Sequence, residues 1–309
     1  MSKLMSLLFL SPWIIGFIAF ALFPFIEMIR YAFSNVIFKP NNTIYVNVGW
    51  KNFRDVLFVD PDFRLLFFEY LRIIVFMLPI ILVFALILGT LLDHVDRGKS
   101  FFRSIYFLPV ILISGPLLEK LFAIEAFKLD GLHDFFIFDF ISSTLPRRIN
   151  EWLFFIIDNI ILSLWFCGVQ LLIFLTGIQR IDGSLYEAAK IEGASSWQLF
   201  WKITIPMLKP FIILNAVYTL VDLSSTFSPI SGLITSSMTS DNKGYGYAAA
   251  VAWLYLLIEL VLLGILMFIL ARDHQAAKAR KEKRKEARKI QRIRKRQSAA
   301  REKYAQSQS

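Results

Sequence analysis

Six long apolar stretches run along the chain, and shorter polar segments separate them. A helix needs about 20 mostly apolar residues to cross the hydrocarbon core of a bilayer, and each stretch reaches that length. The pattern therefore predicts an all-α integral membrane protein with six transmembrane helices. The predicted spans are Leu7–Phe33, Leu71–Leu92, Ile105–Phe127, Trp152–Leu175, Met207–Phe227 and Tyr247–Ala271.

Two of the predicted spans contain interruptions. The third includes Pro116 and the charged pair Glu119 and Lys120, which we expect at the outer interface or facing a cavity. The first includes Pro24, which is typical of a kinked helix in a bundle interior. Residues 19–21 of this span resemble a signal-peptide cleavage site, but the apolar run continues past them. We therefore expect the first span to be retained.

The positive charge of the chain is concentrated at its C-terminal end. The formal net charge is +10, and residues 272–309 hold 15 of the 34 Lys and Arg but only 4 of the 24 Asp and Glu. This tail is rich in Ala, Lys, Arg, Glu and Gln and lacks Pro and Gly, which favours a polar helix that builds no core. The sequence thus divides into a transmembrane domain, 1–271, and a basic tail, 272–309.

Six spans place both termini on the same side of the membrane. Lys and Arg accumulate on the cytoplasmic side, but the basic residues of the loops alone do not decide between the two orientations. The tail decides, and it predicts that both termini are cytoplasmic. The loops at 93–104 and 176–206 are then cytoplasmic, and those at 34–70, 128–151 and 228–246 face outward.

The cytoplasmic loop between the fourth and fifth spans predicts two short helices around a glycine. Ser184 followed by Glu187 is typical of a capping box at the start of the first helix. Gly193 suits the end of that helix, because glycine adopts the left-handed conformation without steric cost. Ser195 or Ser196 is expected to cap the second helix.

Two further features of this loop indicate a docking element. Ala188 and Ala189 allow close approach of a partner surface, and Glu187 beside them offers a charged contact. Trp197, Phe200 and Trp201 would give the second helix an aromatic face. The alternative is a plain loop helix that lies on the membrane interface.

This loop resembles the EAA loop of the membrane subunits of binding-protein-dependent ABC importers. The loop spans about residues 177–206 and holds Glu187-Ala188-Ala189 followed by Gly193-Ala194, although Glu192 stands where the family usually has Asp. The resemblance as a whole covers about residues 7–271. The basic tail has no counterpart in that family. Three other segments are similar to its sugar-type branch, the maltose and multiple-sugar permeases: Gly49-Trp50-Lys51-Asn52-Phe53, the stretch FFRSIYFLP at 101–109, and Gly244-Tyr245-Gly246-Tyr247-Ala248-Ala249.

The resemblance implies a type I ABC importer permease fold in a bacterial cytoplasmic membrane. It implies a subunit that forms half of the pathway for a sugar or oligosaccharide, together with a second permease subunit. The other implied partners are a cytoplasmic ABC ATPase dimer, which holds ATP and Mg²⁺, and an extracytoplasmic solute-binding protein. The residues implied to couple this chain to the ATPase are Glu187, Ala188, Ala189 and Gly193.

Other functions remain open at this point. The EAA loop does not specify the cargo, so an importer of a non-carbohydrate solute is the nearest alternative. A membrane channel or a membrane enzyme is the alternative from a different class. For the tail, anionic lipid is the first expected partner because the basic run begins directly after a span; the ATPase comes next and nucleic acid last.

The sequence predicts no catalytic, cofactor or metal site in this chain. Gly98-Lys99-Ser100 resembles the end of a P-loop, but Asp93 occupies the position of the first glycine, and a strand-loop-helix context is missing. The three His residues and Cys167 are too scattered in sequence to suggest metal ligands. We therefore expect ATP hydrolysis to take place in the partner subunit.

A polar stripe runs along the predicted fifth span. Its members follow one another at steps of four, three and four, which places them on one helical face. Amide, hydroxyl and carboxylate groups hydrogen-bond the hydroxyls of sugars, so we hypothesise that this face lines the pathway, with the neighbouring Tyr218 stacking on a sugar ring. Hydrogen bonding between helices is the competing interpretation. The stripe consists of Asn215, Thr219, Asp222 and Thr226.

Overall fold

The computed structural model describes residues 3–39, 42–94, 104, 144–240 and 243–271. The predicted third span and the basic tail lie outside the described residues. The described chain is mostly helical, with one two-stranded antiparallel sheet. The α-helices are α1 Lys3–Phe17, α2 Phe23–Ala32, α3 Lys51–Arg54, α4 Pro61–Asp93, α5 Arg147–Asp158, α6 Ile160–Trp165, α7 Cys167–Ile178, α8 Gly183–Ile191, α9 Ser196–Leu199, α10 Ile205–Thr226, α11 Pro229–Thr239 and α12 Gly244–Ala271. The strands are β1 Ser34–Lys39 and β2 Asn42–Asn47.

Four helical runs in the described chain have the length and apolar composition needed to cross a membrane. They coincide with the predicted first, second, fifth and sixth spans. The membrane character of the chain is thereby confirmed, while the count of six stays a prediction. The runs are Phe9–Ala32, Pro61–Asp93, Ser196–Thr239 and Gly244–Leu270.

The predicted fourth span is not one continuous helix. It forms α5, α6 and α7 in succession, with breaks at Asn159 and Phe166. The side-chain amide of Asn159 donates to the carbonyl oxygen of Phe155 at 2.8 Å. An asparagine side chain that bonds to nearby backbone competes with helix continuation, which explains the first break. Hydropathy alone does not register this competition.

Three π-helical turns widen the described helices, and each ends two residues before a proline. They span Ile18–Leu22, Asp55–Val59 and Phe200–Thr204. Proline lacks the N–H that an α-helix needs, and its ring clashes with the carbonyl four residues earlier. The first and third turns absorb this conflict inside long apolar helices, at Pro24 and Pro206.

The segment after the first span, which the sequence predicts as a loop, folds into the hairpin β1–β2. Its strands pair in the register Ser34 with Asn47. The side chain of Asn52 donates to the carbonyl oxygens of Ala32 at 3.0 Å and Ser34 at 3.1 Å. A β-carbon added at Gly246 would overlap the carbonyl oxygen of Ser34, so only glycine permits this approach of α12 to the hairpin. Two of the segments that resemble the sugar-type branch therefore meet here.

A cluster of charges fixes the start of α12 to the start of α4. Asp60 caps α4 by accepting from the backbone N–H of Asp62 at 2.9 Å. Its other carboxylate oxygen accepts from the ammonium of Lys243 and from the hydroxyl of Tyr247, both at 2.5 Å. Burial raises the pKa of the Asp60 carboxyl, but the hydrogen bonds from Lys243 and Tyr247 lower it, and the net pKa lies below its ordinary value.

We expect Lys243→Met to destabilise the protein at neutral pH, and the deficit to shrink in acid. Because the pKa of Asp60 is depressed by folding, its contribution is present above the unfolded value of about 3.9 and is lost as pH falls through the folded pKa. Thermal unfolding in detergent at neutral pH and below pH about 4 measures this. Lys51→Met, at an exposed lysine, is the control. A deficit that is the same at both pH values would contradict the prediction.

Candidate functional site

The loop between α7 and α10 begins with α8, whose first residues are capped by Asp182. The carboxylate of Asp182 accepts from the backbone N–H of Ser184 at 3.0 Å. The predicted capping box of Ser184 with Glu187 is therefore wrong. A carboxylate two residues earlier is a charge-assisted acceptor that also suits the positive end of the helix dipole. The hydrogen bond from the Ser184 backbone lowers the pKa of Asp182, so the cap stays ionised at neutral pH.

The end of α8 is fixed by its backbone at Gly193, as predicted. Gly193 has φ of +81°, in the left-handed region. The N–H of Ala194 donates to the carbonyl of Ala189, and that of Gly193 to the carbonyl of Lys190, both at 3.0 Å. These are the two bonds of a Schellman motif. A β-carbon at Gly193 would meet nothing within 4 Å, so the need for glycine is conformational and not steric.

The second helix of the loop leads directly into the fifth span. Ser195 caps α9 in a reciprocal box: its N–H donates to the side chain of Gln198 at 3.0 Å, and its hydroxyl accepts from the backbone of Gln198 at 3.4 Å. The structure thus selects Ser195 over Ser196. After α9 the chain passes through the π turn Phe200–Thr204 into α10. The helix α9 and the fifth span are consequently one helical run.

The predicted aromatic face of this run is partly solvent-exposed. The Trp201 ring lies 5.6 Å from that of Trp197 and 5.3 Å from that of Phe200. Trp197 is 70% exposed, and Ile191, at the end of α8, is 87% exposed. Apolar side chains that cluster in the open on a short loop are typical of a surface that docks against a partner.

The four residues implied to couple the chain to an ATPase lie together around α8. Glu187, Ala188 and Gly193 are exposed, and Ala189 is half-buried. The helix is nine residues long and is defined at both ends by the caps described above. This arrangement presents a rigid, small-residue surface with one acidic side chain. Such a surface fits a cleft in another protein.

The beginning of the loop packs tightly on α10. A β-carbon added to Gly177 would lie 2.7 Å from Cγ of Phe211 and 2.8 Å from a methyl of Leu208. The guanidinium of Arg180 lies 5.9 Å from the centre of the Phe211 ring, at the outer limit of a cation–π contact. Both ends of the loop are therefore anchored on the same helix.

Two members of the polar stripe join α10 to α7. Asn215 and Thr219 are fully buried. The side-chain amide of Asn215 donates to the backbone carbonyl of Gln170, and the side-chain amide of Gln170 donates to the hydroxyl of Thr219, each at 3.1 Å. For these two residues the contacts favour hydrogen bonding between helices, which the sequence analysis keeps as the competing interpretation.

The remaining stripe residues and Tyr218 are accessible in part. Tyr218, Asp222 and Thr226 are half-buried in the described chain. Because they are only half-buried, a solute reaches them more readily than it reaches the two fully buried members. Their role in a pathway stays a prediction.

Sequence reasoning missed a junction of three helices at Ser224. The hydroxyl of Ser224 donates to the carbonyl of Leu220 at 2.7 Å, so the Tyr70 hydroxyl, 2.6 Å away, must donate to it. The hydroxyl of Tyr255 donates to the backbone carbonyl of Ser224 at 2.6 Å. Tyr70 belongs to α4 and Tyr255 to α12, and nothing in a single sequence pairs residues so far apart. Among the described residues, no group of His, Cys, Asp or Glu is arranged to hold a metal ion.

The chain is similar to known transport proteins over most of its length. Residues 63–281 match the family described as binding-protein-dependent transport system inner membrane component. The lactose transport system permease protein LacF of Rhizobium radiobacter is 26% identical, covering 87% of this chain and 94% of its own. The multiple sugar-binding transport system permease protein MsmF of Streptococcus mutans is 26% identical, covering 80% and 87%.

A solved structure has the same fold. It is the crystal structure of a bacterial ABC transporter involved in the import of the acidic polysaccharide alginate. The likeness has a TM-score of 0.58 at 19% sequence identity, and it covers 88% of this chain and 97% of that one. This match confirms the predicted type of fold.

We expect Thr219→Val to weaken the packing of α10 on α7. The substitution keeps the shape of the side chain but removes the threonine acceptor of the buried Gln170 amide, and we expect a loss of about 0.6–2 kcal/mol. Unfolding in detergent measures it. Thr176→Val, whose hydroxyl bonds within its own helix to Leu172, is the matched control. Adding Gln170→Leu should restore much of the loss; equal losses in both threonine variants would contradict the assignment.

Proposed function

The chain belongs to the family of binding-protein-dependent transport system inner membrane components, and from that premise we propose that it is a permease subunit of an ABC importer for a sugar or oligosaccharide. The observation that carries the proposal is the exposed, doubly capped helix α8 between two membrane segments. The sugar class is supported by the names of the lactose and multiple-sugar relatives. The chain itself performs no catalysis in this scheme.

In the proposed mechanism α8 seats in a cleft of a cytoplasmic ABC ATPase. The ATPase dimer holds ATP and Mg²⁺, and this chain contributes no cofactor site. Ala188 and Ala189 permit close contact, and Glu187 supplies a charge at the rim of the contact. Because the loop is anchored on α10 through Gly177 and continues into it through α9, a displacement of α8 reaches the fifth span directly. Rigid-body movement of packed helices then gates the pathway.

The proposed orientation places α8 and both termini in the cytoplasm. The basic tail supports this orientation, since cytoplasmic segments carry the excess of Lys and Arg. The hairpin β1–β2 and the Asp60–Lys243 cluster then face outward, where a solute-binding protein delivers the sugar. For the tail itself we propose contact with anionic lipid, at about 1 kcal/mol for each basic residue near the surface.

The proposed pathway is formed between this chain and a second permease subunit. On this chain the half-buried side chains of Tyr218, Asp222 and Thr226 are its lining, while Asn215 and Thr219 hold α10 in place behind them. A carboxylate, a hydroxyl and an aromatic ring are the groups that suit recognition of a carbohydrate. The partial exposure of these three side chains supports their assignment to the pathway.

We expect Gly193→Pro to abolish uptake while membrane insertion stays normal. Proline fixes φ near −65°, which is incompatible with +81°, and it removes the N–H that closes the Schellman motif. Gly183→Pro is the matched control, because proline is favoured at the first position of a helix and Asp182 before it is already extended. ATP-dependent uptake in vesicles and the amount of inserted protein are the measurements.

The same preparations test the partners. Affinity purification of the wild-type chain should bring down an ABC ATPase and a second permease. Normal uptake by Gly193→Pro would refute the assignment of the loop. A stable complex without any ATPase would instead favour a channel or a membrane enzyme. Uptake of only non-carbohydrate solutes would mean that the chain is an importer subunit but that its cargo is not a sugar.

We expect Asp222→Ala to lower uptake by raising the KM for the sugar. The variant removes a carboxylate that we place in the pathway, and one hydrogen bond to a charged group is worth about 1.5–3 kcal/mol, or about a tenfold to hundredfold change. Ser225→Ala, whose hydroxyl bonds back to its own helix, is the control. Unchanged uptake kinetics in Asp222→Ala would remove the pathway assignment.

A further inference from the structure

The π turn between α9 and α10 is attached to α8 by a side chain. The hydroxyl of Thr204, the last residue of the turn, lies 3.4 Å from the carbonyl oxygen of Leu199, five residues earlier. The hydroxyl of Tyr186, in the middle of α8, lies 2.9 Å from the same Thr204 hydroxyl. Thr204 is buried and Tyr186 is half-buried. The contact is thus shielded from competing water on one side.

The direction of these two hydrogen bonds follows from the number of protons. A carbonyl oxygen only accepts, so the single proton of Thr204 is used on Leu199. The Tyr186 hydroxyl must then donate to Thr204. The result is a series of two bonds, from α8 through Thr204 to the backbone of the widened turn. We call this series the Tyr186 relay.

The π turn is placed where an α turn would be costly. In the π turn the N–H of Ile205 bonds to the carbonyl of Phe200. The next residue, Pro206, has no N–H for the carbonyl of Lys202, and its ring would press on that carbonyl in a regular helix. The proline therefore favours the wide turn. Within that turn the Thr204 hydroxyl reaches the carbonyl oxygen of Leu199.

Little else ties α8 to the rest of the chain. Leu185, Glu187, Lys190 and Ile191 are exposed. Of the hydrogen bonds made by the described residues, the bond from Tyr186 is the one that joins a side chain of α8 to another helix. A force applied to α8 therefore has two routes to the fifth span: the backbone of the loop and the Tyr186 relay.

We infer that Tyr186 is a positioning residue, which fastens α8 to the π turn so that a displacement of α8 moves α10 in register. The inference rests on the proposed function. Without the Tyr186 hydroxyl, α8 still docks, because its caps and its exposed surface are unchanged. Its movement then reaches α10 through the backbone of the loop alone. ATP hydrolysis continues, and less solute is carried for each ATP.

The test uses the complete transporter in proteoliposomes with its ATPase, partner permease and solute-binding protein. Tyr186→Phe deletes one oxygen atom, and Thr204→Val deletes the hydroxyl that receives its proton. We expect each to lower solute uptake per ATP hydrolysed by about threefold to tenfold, the scale of one neutral hydrogen bond. Co-purification of the ATPase and the amount of inserted protein should not change. Thr204→Ser keeps a hydroxyl and should retain the wild-type ratio.

Two comparisons isolate the relay from a general loss of stability. Thr176→Val loses a threonine hydroxyl that bonds within its own helix and should behave as wild type. The double variant Tyr186→Phe with Thr204→Val should be no worse than either single variant, since both remove the same interaction.

Three different results would refute either the inference about Tyr186 or the proposed function. A wild-type ratio of uptake to hydrolysis in Tyr186→Phe overturns the inference and leaves the proposed function standing. Loss of the ATPase from Tyr186→Phe complexes also overturns it, because the residue would then serve docking. A wild-type complex that brings down the ATPase but shows no ATP-dependent uptake of any carbohydrate overturns the proposed function itself.

Discussion

Helices in a bilayer gain little from burying leucine against leucine instead of against lipid, so hydrogen bonds and close packing decide which helices stay together. In this chain those contacts converge on α10. Asn215 and Thr219 join it to α7 through Gln170, and Ser224 joins it to α4 and α12. The loop that carries α8 is anchored on the same helix through Gly177.

The two ends of the bundle are held by different means. At the proposed outer end one contact is an ion pair, between Asp60 and Lys243. The other is a close approach of the Gly246 backbone to the hairpin. At the proposed cytoplasmic end α8 is shaped by its own caps and touches the bundle at few points. This combination suits the proposed docking of α8 on a moving partner, because the helix keeps its own shape while few contacts hold it to the bundle.

The sequence predicts those structural features that are determined by residues close together in the chain. Four of the spans and the left-handed Gly193 follow from local composition and local sterics, and both are confirmed. The sequence predicts the cap of α8 at Ser184, but Asp182 and Ser184 both offer acceptors there, and local rules do not rank the carboxylate of Asp182 above a capping box. The hairpin, the Ser224 junction and the Gly246 approach depend on distant residues. Hydropathy misses the first break in the fourth span because a single asparagine side chain causes it.

The Asp60–Lys243 contact also bears on how the protein is made. Its partners are 183 residues apart, and a ribosome adding about 5–20 residues per second needs roughly 10–40 s to cover that distance. During this time Asp60 and the hairpin β1–β2 lack the last helix, which makes contact with both of them. The contact that fixes the start of α12 to the start of α4 therefore forms only after the last helix has been made.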